Sequence, residues 1–317
     1  NILVEVNKFI ADANEAGYNH YAGIGQIQKA AAILDMTDWW GNIPYSTAGL
    51  GIEEINPTFD DQQSIYSTAF SLLDSAITLL NGSNGGFAPG SDDVIYGGNV
   101  SNWIKAAKAI KARAHLHLGQ YGEALSNAKA SFESAADNMS YTFGATQQAG
   151  WWRFNDGRTG DIEFHPTLRA MMTDLNDTDR LGVWDQTFIT SHPYMKADYR
   201  QDYISYREIQ FIIAECLKRT NGSTAEMETA YLNGINASFI DAGLSDAEFN
   251  TYAAQAAVNP GGASLDLEDH ILTQKYIGLF IQPEVFNDLR RNDFPNLVPT
   301  SGSQIPVRWN YSGDEIL

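Results

Sequence analysis

The chain has one cysteine and no long apolar run. Cys216 is its only thiol among 317 residues, so neither an intramolecular disulfide nor a thiolate zinc site can form. Apolar stretches such as residues 211–214 are far shorter than the about 20 residues of a membrane-spanning helix. We therefore expect any association with a membrane to come from something outside this sequence.

Basic residues are also scarce. The sequence holds 20 Lys plus Arg against 39 Asp plus Glu, which gives a formal net charge of -19 at pH 7. A surface of this sign repels nucleic-acid phosphates and anionic lipids, because binding to either normally requires a basic patch. We therefore expect no nucleic-acid partner, whereas neutral ligands such as sugars are compatible with the charge.

Motifs of common catalytic and metal sites are missing as well. There is no Gly-x-Ser-x-Gly elbow, no P-loop, no dinucleotide fingerprint and no His-x-x-x-His pair. The acidic stretch at residues 174–179 departs from EF-hand spacing, since Leu181 occupies the fifth position counted from Asp177. We expect no cofactor and no metal. The many carboxylates leave an all-α glycoside hydrolase or lyase open as an enzymatic alternative.

The sequence does contain repeated helical patterns. Ile24, Ile27, Ala31 and Leu34, for example, form one apolar stripe at helical spacing. Helices are predicted over residues 21–38, 61–81, 101–118 (with Ser101 as N-cap), 121–136, 165–176, 202–220, 224–242, 245–257 and 264–290. Long loops rich in Gly, Asn, Ser and Pro are predicted at residues 41–58, 82–100, 140–164, 186–199 and 258–263. No alternating stretch is long enough to predict a sheet.

Two segments have the pattern of tetratricopeptide-type helical hairpins. Within residues 101–136, Gly119 ends the first helix, Tyr121 packs over the turn and Ala124 permits a close helix crossing. Residues 208–240 repeat this arrangement around an Asn-Gly-Ser turn. Such hairpins bury their apolar faces by stacking on one another. The sequence therefore predicts an all-α, tetratricopeptide-like helical-repeat scaffold with long irregular loops, which are where binding usually resides.

Several further motifs follow one another in an order typical of one protein family. They are a helix entering an aromatic-Gly-Asn-x-Pro-Tyr turn (32–46), an Asp-x-Ala step (72–76), an Asp-Thr-Asp-Arg-Leu element (177–181), a Tyr-x-Glu-x-x-Phe-x-x-Ala-Glu helix (206–215), Gln-Lys-Tyr followed by Asp-Leu-Arg-Arg (274–291) and an Arg-x-x-Tyr segment (308–311). Together with the first hairpin, this ordered set resembles the SusD/RagB family. The chain departs from the family pattern at Asn42, where Asp is usual, and near Phe286, where Trp is usual.

The resemblance covers most of the chain and implies a role. It implies a single SusD-like domain over residues 1–317, with N- and C-terminal portions of a longer protein missing. It implies a lipid-anchored protein on the extracellular face of the outer membrane of a Bacteroidota-type bacterium, with the anchor outside this chain. Its partner would be a SusC-like TonB-dependent transporter, to which it would deliver oligosaccharide without catalysis. The non-enzymatic alternative is a tetratricopeptide-type protein-interaction scaffold or a peptide-binding relative.

Aromatic residues in predicted loops are the main candidates for binding a glycan. Proteins recognise sugars by stacking aromatic rings on their C–H faces and by bonding their hydroxyls with planar polar groups. The Gly-bounded segment 150–158 combines both kinds of group, which makes the following its candidate ligand-binding residues: Trp151, Trp152, Arg153, Asn155 and Asp156. The alternative is that the two tryptophans fill a gap beneath the loop.

Three other sites complete the predictions about side-chain roles. Trp39 and Trp40, in the turn at residues 39–45, are candidates for binding, with packing of that turn as their alternative. Tyr194, in the predicted loop 186–199, is a weaker candidate. Arg290 and Arg291, together with Asp288, are predicted to form a structural ion-pair cluster at a helix end.

Overall fold

α-Helices make up most of the structure. The computed structural model describes residues 2–49, 56–144, 146–186, 192–299 and 302–311. Within them the α-helices are α1 (Ile2–Glu15), α2 (Asn19–Trp40), α3 (Gln62–Asn81), α4 (Val100–His117), α5 (Tyr121–Lys129), α6 (Gly150–Gly157), α7 (Pro166–Asp174), α8 (Thr178–Trp184), α9 (Tyr206–Arg219), α10 (Thr224–Asp241), α11 (Asp246–Ala253), α12 (Thr273–Gly278) and α13 (Glu284–Asn292). The predicted all-α fold class is confirmed.

The chain divides into two compact units. Unit 1 comprises Asn1–Ala114 and Val298–Leu317, and unit 2 comprises His115–Leu297. Unit 1 contains one antiparallel strand pair, β1 (Ile43–Pro44) with β2 (Phe59–Asp60), and unit 2 contains another, β3 (Met139–Thr142) with β4 (Arg200–Ile204). In the parts of the chain that the structure describes, no helix is both long and apolar enough to span a membrane.

Helix α2 lies between α1 and α3 in unit 1, and small residues let the three helices approach closely. A Cβ on Gly25 would lie 2.7 Å from Ile10 of α1, and a Cβ on Gly23 would lie 3.0 Å from Leu80 of α3. Both glycines are buried. Larger side chains at either position would force the helices apart, because protein interiors are already close-packed.

Stacked helices form the core of unit 2. After α4, Gly119 takes a left-handed φ of 69° and α5 begins two residues later. Helix α5 packs on α9, which packs on α10. The turn between α9 and α10 passes through Asn221, with φ 52°, and Ser223 caps α10 by accepting a hydrogen bond from the Glu226 amide at 3.3 Å. The predicted tetratricopeptide-like scaffold is confirmed.

Several predicted boundaries are wrong. Helix α6 lies inside the predicted loop 140–164, and α5 ends at Lys129 because its next residues form a turn and a short 3-10 helix. Asn99, not Ser101, caps α4, since its side-chain oxygen accepts from the Asn102 amide at 3.3 Å. The predicted helix 264–290 is divided into a π-helical turn (Leu267–Leu272), α12 and α13, with Ile281 at φ 59° before α13.

Candidate functional site

The turn after α2 is held in one conformation by hydrogen bonds to side chains. The side-chain Nε2 of Gln62 donates to the Thr37 carbonyl at 2.8 Å, and the Asp60 carboxylate accepts from the backbone amides of Tyr45 and Ser46 at 3.1 and 2.7 Å. The bond from Ser46 is the main reason why the pKa of Asp60 lies below its usual range. Asp60 therefore stays ionised and keeps the turn fixed beside Trp39 and Trp40.

The segment at residues 306–311 lies against this turn. The backbone amide of Trp309 donates to the Trp39 carbonyl at 2.8 Å, and the Trp40 indole donates to the Asn310 carbonyl at 3.2 Å. The Tyr311 hydroxyl also donates to this turn, since it lies 2.7 Å from the Asn42 carbonyl oxygen and 3.0 Å from that of Trp40. These bonds join positions about 270 residues apart in sequence, so folding is required to assemble this part of unit 1.

Trp39, Trp40 and Trp309 form what we call the tryptophan platform. The Trp309 indole stacks on that of Trp39, with 4.9 Å between ring centroids and 17° between planes, and packs edge-on against Trp40 at 5.5 Å. Trp309 is nevertheless 50% exposed, whereas Trp39 and Trp40 are half-buried. The platform is therefore an aromatic surface that is already ordered and still open to solvent.

Planar polar groups lie next to the platform. The Arg308 guanidinium lies 4.9 Å from the Tyr311 ring centroid and donates to the Trp309 carbonyl at 3.1 Å. Asn310 and Asn42 are both exposed at the same turn. Guanidinium and amide groups bond pairs of hydroxyls, while an indole face covers the apolar C–H surface between them. The arrangement is suited to a neutral polyol such as an oligosaccharide.

The predicted site at residues 150–158 is helical and lies in unit 2. Because residues four apart share a helix face, Trp151 and Asn155 lie together, and so do Trp152 and Asp156. The first pair faces inward, since Asn155 is buried and Trp151 packs against the aromatic core of unit 2. Trp152 is half-buried, and Arg153 and Asp156 are exposed. The helix thus divides the five predicted residues between two faces.

The two inward residues differ in their contacts. Asn155 is 2% exposed, and its Oδ1 has no hydrogen-bond partner within the described part of the chain. Trp151 packs on a cluster that includes Met172, Trp184 and Phe280. Trp151 therefore lies where the gap-filling alternative places a tryptophan, while the side chains of Trp152, Arg153 and Asp156 are at least partly open to solvent.

Tyr194 lies in the same aromatic core and not on the surface. It is 2% exposed, and its ring packs edge-on against Tyr199 at 5.2 Å. Burial, together with the negative charge of Asp241, raises its pKa well above the usual value, and its hydroxyl donates to Asp241 at 3.0 Å. In this structure its ring has no open face on which a sugar could stack.

Trp309 is the residue of the platform that sequence reasoning did not select. Its segment, Arg308-Trp309-Asn310-Tyr311, carries the same Trp, Arg and Asn combination as residues 150–158. That composition could have singled out Trp309. Its stacking on Trp39, however, could not be foreseen, because the two residues are far apart in sequence. Among the residues with described positions, no group of three or more His, Cys, Asp or Glu could hold a metal ion.

Comparison with known proteins identifies the family. The sequence profile of a SusD-like family, described as starch-binding and associating with the outer membrane, matches residues 1–192 and 179–312. The chain therefore belongs to the SusD-like family. A search among curated proteins found no match.

Solved structures share the fold. A chitin-binding protein has 24% identity and a TM-score of 0.79, over 99% of this chain and 79% of its own. A SusD homologue from Bacteroides fragilis has 22% identity and a TM-score of 0.80, over 98% of this chain and 80% of its own. An outer-membrane protein from Bacteroides vulgatus, described in connection with nutrient binding, has 21% identity and a TM-score of 0.77, over 99% and 82%.

Proposed function

We propose that this chain is a non-catalytic binding protein for oligosaccharides at the surface of the outer membrane. It holds the glycan reversibly and passes it to a SusC-like TonB-dependent transporter. A lipid anchor outside this sequence attaches it to the extracellular face of the membrane. Membership of a family described as starch-binding and associated with the outer membrane supports this role.

The observation that carries the proposal is the exposed, pre-ordered tryptophan platform. Trp39 and Trp40 hold the Trp309 indole on two sides, so little conformational entropy is lost when a sugar ring stacks on its open part. Arg308 and Asn310 then provide hydrogen bonds to hydroxyls at its edge. A soluble protein normally buries such large aromatic side chains, and exposed aromatic groups beside planar polar ones suggest a binding surface.

The outward face of α6 is proposed as a further glycan contact. Trp152 and Asp156 lie one helical turn apart, and Arg153 is exposed beside them. This set again combines one aromatic face with charged hydrogen-bonding groups. Trp151 and Asn155 support it from below and do not touch the ligand.

Polysaccharide-affinity electrophoresis tests the proposed function. The purified chain is run through native gels containing soluble starch, glycol chitin or other glycans, and reducing ends released from each glycan are measured in parallel. We expect retardation by at least one glycan and no release of reducing ends. Release would instead establish the hydrolase or lyase alternative, and migration unaffected by every glycan would favour the protein-interaction scaffold.

The transporter is tested with the full-length protein in its own membrane. A tagged copy is purified in mild detergent, and co-purifying proteins are identified by mass spectrometry. We expect a TonB-dependent transporter in stoichiometric amount. Recovery of the tagged protein alone, from membranes that contain the transporter, would contradict the proposed delivery role.

A further inference from the structure

A second aromatic surface in unit 1 is separate from the tryptophan platform. It is a groove with a cavity volume of about 440 Å³ along the corner between α1 and α2. The residues that shape it are Phe9, Asp12, Tyr18, Tyr21, Phe87 and Asp92, and we call it the tyrosine groove. Nothing in its lining belongs to the platform.

Backbone contacts fix the loop that supplies Phe87. The Asn19 amide donates to the Asn84 carbonyl at 3.1 Å, and the Asn19 side chain donates to the Ser83 carbonyl at 2.9 Å. Gly85 has φ 79°, and a Cβ there would lie 1.7 Å from the Gly17 carbonyl oxygen. The loop is thus docked on the α1–α2 corner in a way that only glycine permits.

The rings of the groove contact one another but leave faces open. Phe87 and Tyr21 are parallel to within 11° at 6.0 Å between centroids, and Tyr18 lies 5.6 Å from Phe87. Phe9 packs edge-on against Tyr21 at 6.2 Å. Phe87 is 56% exposed and Tyr18 is 37% exposed, so the groove has aromatic surface that packing does not cover.

Carboxylates provide the polar part of the groove. The Tyr21 hydroxyl donates to Asp92 Oδ2 at 2.7 Å, and this bond lowers the pKa of Asp92 below its usual range. Burial and the same bond raise the pKa of Tyr21 to about 12, so its hydroxyl stays protonated. Asp12 forms an exposed ion pair with Lys8 at 2.7 Å, of a kind that contributes little.

The charge of the groove differs from that of the platform. The lining residues include no Lys, Arg or His, and because Asp12 is paired with Lys8 from outside the lining, Asp92 carries the negative charge of the groove, whereas Arg308 lies beside Trp309. An aromatic groove with anionic acceptors suits a ligand that brings a cation, because ring faces and carboxylates both attract an ammonium group. The net charge of -19 on the whole chain acts in the same direction.

We propose that the tyrosine groove is a second glycan subsite, which binds sugar residues that carry a free amino group. This inference rests on the proposed function and names a substrate class for it. The sugar ring lies against Phe87 and Tyr18, with its ammonium group directed to Asp92. An N-acetylated sugar has no such cation, and an anionic sugar is repelled.

Calorimetric titration with matched tetrasaccharides tests this inference. The probes are a glucosamine tetramer, an N-acetylglucosamine tetramer and maltotetraose, each titrated into the wild-type chain and into Phe87→Ala, Asp92→Asn and Val298→Ala. Val298 is 74% exposed in unit 1 and outside the groove, which makes it a matched surface control. Thermal unfolding shows whether each variant is folded, and Tyr18→Ala replaces any variant that is not.

We expect the glucosamine tetramer to bind the wild-type chain roughly tenfold more tightly than its N-acetylated form. This preference should be lost in Phe87→Ala and in Asp92→Asn, and it should be retained in Val298→Ala. Equal affinity for both tetramers, or no effect of the groove variants, overturns the inference. If maltotetraose binding persists in that case, the proposed function stands without the groove. If no glycan binds the wild-type chain in this assay or in the affinity gels, the proposed function itself fails.

Discussion

Glu215 and Arg291 form a bidentate ion pair in unit 2, with Nη1 to Oε1 at 2.5 Å and Nη2 to Oε2 at 2.8 Å. Arg291 also contacts Asp288 at 2.6 Å, and the Lys275 ammonium lies 2.8 Å from Asp288 and 3.5 Å from Glu215. We call Glu215, Lys275, Asp288 and Arg291 the glutamate cluster. The Ala-Glu, Gln-Lys-Tyr and Asp-Leu-Arg-Arg motifs thus meet in space. The predicted ion pair of Arg291 with Asp288 is confirmed, and Arg290 donates to the Asn287 side chain at 2.6 Å.

Replacing the central carboxylate is expected to destabilise unit 2. Glu215 is 0% exposed, so Glu215→Gln leaves a lysine and an arginine buried with too little negative charge. A loss of about 3–5 kcal/mol in the free energy of unfolding is expected for a broken buried pair. Urea denaturation measures it. Glu226→Gln, which breaks an exposed pair with Lys129, is the control and should cost less than about 1 kcal/mol; equal losses would contradict this role of the cluster.

The same residue should contribute to the pH dependence of stability. Burial by itself would raise the pKa of Glu215, but the charges of Lys275 and Arg291 outweigh it and lower the pKa to about 2. Because the folded pKa is below the unfolded value of about 4.3, Glu215 stabilises the fold fully above that unfolded value. Its contribution is lost as pH falls toward 2.

Unfolding at a series of pH values tests this contribution. The wild-type free energy of unfolding should fall more steeply than that of Glu215→Gln between about pH 4.5 and pH 2, because only the wild type loses this stabilisation by protonation. The difference between the two curves isolates Glu215 from the many other carboxylates. Parallel curves over this range would show that the carboxylate is not stabilised in the folded protein.

Cys216 should be unreactive in the folded protein. Its side chain is fully buried, and burial raises its pKa to about 12, so the reactive thiolate is scarce at neutral pH. At pH 8 we expect no labelling by iodoacetamide over hours without denaturant and complete labelling in urea. Since the chain has no other thiol, mass spectrometry reads this residue directly, and rapid native labelling would contradict its burial.

Adjacent tryptophans of α6 should differ in their effects. Trp151→Ala removes an aromatic ring from the core of unit 2 and should lower the free energy of unfolding by about 2–4 kcal/mol, with the glycan affinity of the folded protein unchanged. Trp152→Ala should change stability by less than about 1 kcal/mol and weaken glycan binding. Urea unfolding and affinity gels distinguish them, and the reverse assignment would show that α6 presents its other face to the ligand.

Local patterns were sufficient to predict most of the scaffold. The stripe in α2 and the turns at Gly119 and Asn221 depend on residues close in sequence, so helical spacing and turn chemistry reveal them. Strand pairing could not be predicted in the same way, because the paired strands are far apart in sequence, as Ser140 of β3 and Asp202 of β4 are. Each partner alone is too short to give a signal, and only the folded chain brings them together.

The candidate site was predictable only in part. The glycines at both ends of segment 150–157 favoured a loop, whereas packing of Trp151 on the core stabilises a helix there. The sequence shows that aromatic and planar polar residues share this segment, but it does not show which of their side chains face solvent. The stacking of Trp309 on Trp39 is tertiary and has no local signature.

Calorimetry on Trp309→Ala tests the central claim most directly. The titrant is the glycan that retards the wild-type chain in affinity gels, and Val298→Ala is the exposed control. We predict a loss of about tenfold or more in glycan affinity for Trp309→Ala. The Val298→Ala control should keep both the thermal stability and the glycan affinity of the wild type. Wild-type affinity in a folded Trp309→Ala variant would show that the tryptophan platform does not bind the glycan.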